Sequence, residues 1–427
     1  MINLYRLALP PAFLLAAPYY AWRMLCRGGY SRDFSHRWGG HKKLPPKPAG
    51  RKRVWIQAVS VGEVEAMAAL VEKLSALDGV DLILTTTTST GYEILRKKYS
   101  DKALLTGVFP FDFYPFSRRA WNNFDPDLAV LMEGELWPEH LHQAKIRGVP
   151  VALVNARMSD RSFGRYAKFP AIARKILGGV SLIAVSSQPD MERFAGLGAD
   201  SKKIFCAGNM KFDAPNPAAA GKSEKSALKK EFGFAEDSLV LLGSSTWPGE
   251  EEMLAETLKE IRAKRIDCRL LLVPRHAERR AEAAEAIKSL PHHVRSRSKQ
   301  APQGTLAYLA DTTGELRELT QTADLAFIGK SLPPNRGGQS PLECAAAGVP
   351  MVYGPGMSNF RQICKTLEDS RASIRTENSR QAQAELLRLA QSPELRAQMG
   401  KSAKEWHASN IGASERCFQA LKKLLEL

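Results

Sequence analysis

Two hydrophobic periods alternate along the chain. Val54–Val59 is a short run rich in β-branched and aromatic residues, which predicts a buried strand. Ser60-Val61-Gly62 reads as a tight turn. Apolar residues then recur at helical spacing, at Val64, Met67, Ala68 and Val71. The same strand-then-helix sequence repeats. Strands are predicted at Asp81–Thr86, Ala103–Val108, Leu128–Met132, Val149–Val154 and Leu182–Val185. Helices are predicted over Ser89–Tyr99 and from about Pro115. From Gly208 the chain passes through a stretch rich in Pro, Ala, Gly and Ser, as in an interdomain linker. Strands resume at Leu239–Leu242, Arg269–Val273, Asp324–Ile328 and Val349–Tyr353. Helical patterns cover Asn359–Leu367 and run from Arg380 almost to Leu427. Repeated βα units imply parallel sheets covered on both faces, here in two α/β domains. The length of 427 residues is more than one core normally serves.

The N-terminal stretch breaks this alternation. Leu4–Cys26 is apolar and aromatic, interrupted by Arg6, Pro10, Pro11, Pro18 and Arg23. It barely meets the length of about 20 apolar residues needed to span a bilayer, and its prolines are expected to break the helix. Arg27, Arg32, Arg37, Lys42, Lys43, Lys47, Arg51, Lys52 and Arg53 follow. Basic residues beside an apolar segment favour the cytoplasmic face of a membrane. The expectation is a membrane anchor, spanning the bilayer or lying in its interface; the alternative is a helix packed on the body.

The formal net charge of +16 suits a polyanionic partner: nucleic acid, anionic membrane or phosphorylated substrate. The six cysteines are scattered without a CxxC pair, so neither a zinc site nor a disulfide framework is suggested.

Candidate chemistry follows the strands. Glu63 stands at a strand-to-helix junction, where the helix dipole favours its ionised form. Glu133-Gly134-Glu135 follows Leu128–Met132, and Arg157 follows Val149–Val154. All three clusters fall at strand carboxyl ends, the rim where open α/β sheets bind ligands. Pairing of Glu133 or Glu135 with Arg157 is the plain structural alternative. Asp125-Pro126-Asp127 has the DxD form of a metal site, but it precedes its strand and lies on the opposite rim. In the second half, Gly329–Ser340 precedes a helix, and its glycines and Arg336 suit an anion. Neither GxGxxG nor GxxxxGK[ST] occurs at a strand–helix junction. Glu343 is placed either to meet a ribose hydroxyl or to form a capping box with Ser340.

The ordered blocks VSVGE, MEGELWP, NARMS, KFD, PRHAER, DTTGEL and GGQSPLE resemble the 3-deoxy-D-manno-octulosonic acid (Kdo) transferases of lipopolysaccharide synthesis. The resemblance covers nearly the whole chain. It implies a GT-B fold, with two Rossmann-like domains facing across a cleft and an N-terminal anchor. The implied boundaries are an anchor at 1–26 and a basic juxtamembrane linker at 27–53. An acceptor domain at 54–207, a linker at 208–222 and a nucleotide-sugar domain at 223–427 follow. It implies transfer of Kdo from CMP-Kdo to a phosphorylated lipid A precursor, lipid IVA. The reaction would be inverting and metal-independent, with no cofactor. The site would be at the cytoplasmic face of an anionic inner membrane, with no nucleic acid involved. By the resemblance Glu63 is the general base. Nucleotide contacts fall on Pro274, Arg275, Thr313, Gly314, Glu315, Ser340, Pro341, Leu342 and Glu343. Glu133, Glu135 and Arg157 line the donor-sugar or acceptor side. Two blocks depart from the family pattern: Gln339-Ser340 stand for His-Asn, and Thr246-Trp247-Pro248-Gly249-Glu250 stands for THEGE. The alternatives are a GT-B enzyme using a UDP-sugar, and a non-catalytic basic protein that binds membrane or nucleic acid.

Overall fold

The computed structural model describes residues 2–27, 32–213 and 221–427. Contacts divide the chain into two units, Met1–Pro215 with Asn410–Leu427, and Asn216–Ser409.

The first unit is built on seven strands: β1 Lys52–Ala58, β2 Val80–Thr86, β3 Leu105–Val108, β4 Leu128–Met132, β5 Val151–Ala156, β6 Leu182–Val185 and β7 Ile204–Cys206. All pairs are parallel, in the order β3-β2-β1-β4-β5-β6-β7. Alternation along β1 explains the two cores. Val54, Ile56 and Ala58 enter one apolar layer with Val64, Leu70 and Leu421. Trp55 enters the other, with Ile83, Trp121 and Phe124. The chain reverses its winding between β1 and β4, which makes the carboxyl ends of those two strands a topological switch point.

The second unit repeats the plan with β8 Leu239–Thr246, β9 Cys268–Pro274, β10 His292–Val294, β11 Ala307–Leu309, β12 Leu325–Ile328, β13 Met351–Tyr353 and β14 Ser373–Arg375. The order is β10-β11-β9-β8-β12-β13-β14, again all parallel, with the switch between β8 and β12. The strands absent from the sequence reading, β7, β10, β11 and β14, have three residues each and lie at or next to a sheet edge.

Several boundaries differ from expectation. The basic run after residue 31 packs on the first unit. Arg37 donates to the Thr87 carbonyl, Lys47 to Asp127, Arg51 to Asp81, and buried Arg53 to the carbonyls of Pro45 and Phe124. Those charges are used inside the domain, which begins well before residue 54. Likewise 208–213 is no linker. Met210–Asp213 forms a short helical turn with Met210 and Phe212 buried, and Asp213 accepts the N–H groups of Gly412 (2.6 Å) and Ser414. Through that cap the last helix, Ala413–Leu425, joins the first unit rather than the second. The rest of the expected linker up to residue 220 lies outside the described residues. The apolar N-terminal stretch forms one helix, Ile2–Arg27, that continues through Pro10, Pro11 and Pro18, with one stripe packed on the body. Among the described residues no helix is long and apolar enough to cross a membrane.

Candidate active site

The turn after β1 is helical from Val61, not a tight turn, with Ser60 as N-cap. Glu63 is therefore in the first turn of a six-residue helix, Val61–Ala66. Its carboxylate folds back on the junction. One oxygen accepts the Val59 N–H at 2.8 Å and the other the Ser60 hydroxyl at 3.0 Å. The side chain is buried, and burial raises its pKa above the usual carboxylate value, assisted by the charge of Glu133. The two hydrogen bonds and Lys211 pull the other way. The helix dipole expected to keep Glu63 acidic is outweighed by desolvation.

Across the switch point, Glu133 follows β4 in a left-handed conformation (φ 54°). It meets Lys211 at 3.2 Å and Arg157 at 3.4 Å. The pairing of Glu133 with Arg157 foreseen as an alternative is thus present, and Glu133 also reaches a second cation. Asn155, also at positive φ (51°), accepts the Met210 N–H at 3.0 Å and so fixes the segment that carries Lys211. Glu135 accepts the Trp137 indole N–H at 2.6 Å; burial, then the Glu63 charge, pushes its pKa up to about 7. Three carboxylates and two cations therefore gather at one rim. Lys211 escaped the sequence reading because the KFD block follows β7 at a distance, and only Asn155 draws it in. Glu135 also acts on Tyr166. That tyrosine lines an open recess of about 400 Å³ with Arg165, Lys168, Phe169 and Ile172. Asp125-Pro126-Asp127 lies at the other rim, where Asp127 accepts from Lys47 at 2.8 Å and from the Arg53 N–H at 2.7 Å.

In the second unit the resemblance-derived residues all follow strand carboxyl ends. Pro274 ends β9 and Arg275 follows it, Thr313–Glu315 follow β11, and Ser340 and Pro341 lead into the helix Leu342–Ala347, whose first turn holds Glu343. Arg275 and Thr313 are exposed. Glu315 is committed elsewhere: Arg295 donates to its two oxygens at 2.7 and 3.0 Å. The Ser340 hydroxyl donates to Glu343 at 2.6 Å and accepts the Leu342 N–H at 3.3 Å. Glu343 thus pairs with Ser340 through the side chains, but not as a capping box, because the N-cap of the helix is Pro341 and carries no side-chain cap. The glycine-rich loop spends its own donors: the N–H groups of Gly337, Gly338 and Gln339 bond to the carbonyls of Gly356, Lys330 and Gly329. Those three N–H groups, expected to meet an anion, are already paired within the protein. Lys330 lies 4.3 Å over the Trp247 ring, and Arg275 and Arg336 are exposed.

Glu250 organises this rim. Its carboxylate accepts the N–H groups of Trp247 (2.9 Å), Lys330 (2.8 Å), Ser331 (3.0 Å) and Leu332 (3.3 Å). It thereby fastens the loop after β8 to the loop after β12, the two sides of the switch point. The loops approach so closely that a Cβ on Gly329 would sit 2.3 Å from the Ser245 carbonyl oxygen. Burial pushes the Glu250 carboxyl up to about 7 against the pull of the four N–H donors. In the sequence Glu250 stood as the last residue of the block that departs from THEGE.

Residues 32–214 match the family model described as 3-deoxy-D-manno-octulosonic-acid transferase (kdotransferase). The chain is similar to the 3-deoxy-D-manno-octulosonic acid transferase of Haemophilus influenzae, 32% identical over 93% of this chain and 92% of that protein. The Bordetella pertussis protein of the same description is 30% identical over 95% of each. Among solved structures, UDP-GlcNAc 2-epimerase from Neisseria meningitidis superposes with a TM-score of 0.58 at 13% identity, covering 87% of this chain and all of that one. A glycosyltransferase from Rickettsia africae gives 0.57 at 13%, covering 88% and 99%. At such identities the likeness shows the GT-B fold alone.

Proposed function

The chain belongs to the Kdo transferase family, and on that premise we propose that it moves Kdo from CMP-Kdo to a hydroxyl of a phosphorylated lipid A precursor, lipid IVA. It is a glycosyltransferase acting in lipopolysaccharide synthesis.

Glu63 is the general base. The observation that carries this role is its position: buried, at the carboxyl end of β1 on the switch point, with its pKa raised by desolvation. A carboxylate so placed is a stronger base than one in water, and general-base assistance is worth ~10²–10⁴ in rate. The acceptor oxygen attacks the anomeric carbon, its proton passes to Glu63, and CMP departs with the bonding pair. A single displacement inverts the configuration. Glu133, held by Lys211 and Arg157, and Glu135 border the sugar and acceptor. The recess beside Glu135 pairs the cations Arg165 and Lys168 with the exposed apolar side chains Phe169 and Ile172. That combination suits a phosphorylated glycolipid.

CMP binds on the rim of the second unit, along Pro274-Arg275, Thr313-Gly314-Glu315 and Ser340–Glu343. Arg275, Lys330 and Arg336 answer the phosphate charge. Glu315 acts there by bracing its turn through Arg295. The reaction as proposed uses no metal ion and no cofactor, and it takes place at the cytoplasmic face of the inner membrane. Incubation with CMP-Kdo and a tetra-acylated bisphosphorylated disaccharide lipid tests the reading. A product heavier by one or more Kdo units is expected. No product, or inhibition by UDP and not by CMP, contradicts it.

A further inference from the structure

The last helix, Ala413–Leu425, has a glycine at its N-cap. Gly412 offers no side chain to the orphaned N–H groups of the first turn. Asp213 supplies the acceptor from 199 residues away. One carboxylate oxygen accepts the Gly412 N–H at 2.6 Å and the other the Ser414 N–H. Arg416 answers in the opposite direction. Its Nε donates to the Ala207 carbonyl at 2.7 Å and its Nη2 to the Ile411 carbonyl at 3.2 Å. Two glycines leave room for that guanidinium. A Cβ on Gly208 or on Gly412, both at positive φ (88° and 92°), would stand 3.1 or 3.0 Å from it.

The place of these residues in the chain matters. The first unit ends at Pro215 and resumes at Asn410, so the chain leaves it just after Asp213 and re-enters it just before Gly412. The outgoing and returning legs are therefore laced to each other on the first unit, by a carboxylate on one leg and a guanidinium on the other.

Lys211 rides on this joint. It stands inside the turn Met210–Asp213, which Asp213 closes, and its ammonium makes the 3.2 Å pair with Glu133. The other end of the turn is fixed by Asn155, which accepts the Met210 N–H at 3.0 Å. Met210 is buried in one apolar layer with Ala413 and Cys417 of the last helix and Val64 of the helix that carries Glu63. The Lys211 backbone is thus held from both sides, by the end of β5 and by the returning chain. The charged groups that act on Glu63 are Glu133 and Lys211, and Glu63 acts in turn on Glu135. Where Lys211 stands therefore bears on the base itself.

We infer that Asp213 is a positioning residue for the transfer: it acts through Lys211 on Glu63 and ties the charge beside the base to the crossing between the units. Its carboxylate is spent on the returning chain, so it works by placing the turn. The part in transfer rests on the proposed reaction; the hold on Lys211 does not. A cap that served only the last helix would leave Lys211 indifferent to Asp213, and the two readings part in experiment.

Competitive acetylation of the lysines of the full chain, read by mass spectrometry, reports the hold on Lys211 without any need for turnover. Asp213→Asn keeps the size of the side chain but turns an amide donor toward one of the two N–H groups. Lys211 is expected to label roughly threefold faster in this variant as its turn opens locally, with Lys102, paired to Glu72, unchanged. Arg416→Met unlaces the joint from the other leg and should act in the same direction, which covers the case of an Asp213 variant that does not fold. Unchanged Lys211 labelling in a variant of lowered melting temperature overturns the inference and leaves Asp213 a cap. The catalytic part is read from the pH profile of kcat/KM. Asp213→Asn should move the acid limb up by a few tenths of a unit, and Lys211→Met/Asp213→Asn should show the limb of Lys211→Met alone. A double variant whose shift is the sum of the two single shifts overturns the inference, since Asp213 would then act by another route. A parent enzyme that transfers nothing from CMP-Kdo defeats the proposed reaction, while the labelling still decides what Asp213 holds.

Discussion

Lys211 meets Glu133 at 3.2 Å, and this pair sets the charge that Glu63 feels. Glu133 raises the Glu63 pKa and Lys211 lowers it. The acid limb of kcat/KM should therefore lie above the ordinary carboxylate value, since Glu63 must be ionised to accept a proton. Lys211→Met should move that limb to higher pH and Glu133→Gln to lower pH. A pH–rate profile of each variant checks the opposite signs. Shifts in the same direction would separate Glu63 from this pair.

Glu250→Ala removes the acceptor of four backbone N–H groups in a buried loop junction. Each orphaned buried donor costs about 1–3 kcal/mol, part of which water recovers. A loss of roughly 3–5 kcal/mol is expected for the full chain, together with weaker CMP binding. Chemical unfolding and calorimetric titration with CMP measure the two effects.

Three carboxyls, Asp112, Glu135 and Glu250, are each pushed up to about 7 in the folded protein. Their folded pKa values exceed the unfolded ones, so the folded state holds protons more tightly. The stability they contribute is complete below about pH 4 and is lost as pH rises through about 7. The melting temperature should fall from about pH 4 to about pH 7 and level off above that, and Glu250→Gln, which cannot ionise, should flatten part of that fall. Scanning calorimetry across the range decides it.

Glu315→Ala is expected to act on stability before binding. It leaves Arg295, whose side chain is 4% exposed, with Glu231 and Tyr308 as remaining partners. A cost of about 1–3 kcal/mol follows from the lost charge-assisted bonds, with CMP affinity changed only a few-fold. A collapse of CMP affinity at unchanged stability would instead make its carboxylate a direct ligand contact.

Much of the fold was legible because parallel strands buried on both faces write themselves as continuous apolar runs. The boundaries Ser89–Tyr99, Leu128–Met132 and Leu182–Val185 match the structure residue for residue. Three-residue strands at or next to a sheet edge carry little such signal, and the last helix looked like a continuation of the second unit because its partner, Asp213, is about 200 residues away in sequence. At the site, the strand-end positions of Glu63, Glu133 and Arg157 were readable from order alone. The clamp made by Glu250 was not, since it joins loops whose meeting depends on sheet order. The basic run Arg32–Arg53 misled for a related reason: composition counts charges but does not say that Arg37 and Arg53 point inward.

Glu63→Gln is the most direct test of the base. The amide keeps the size of the side chain and one acceptor for the Val59 N–H, but it cannot take a proton. Transfer from CMP-Kdo should fall by ~10²–10⁴ while calorimetric CMP affinity stays unchanged. Turnover within a few-fold of the parent enzyme would remove Glu63 from the chemistry.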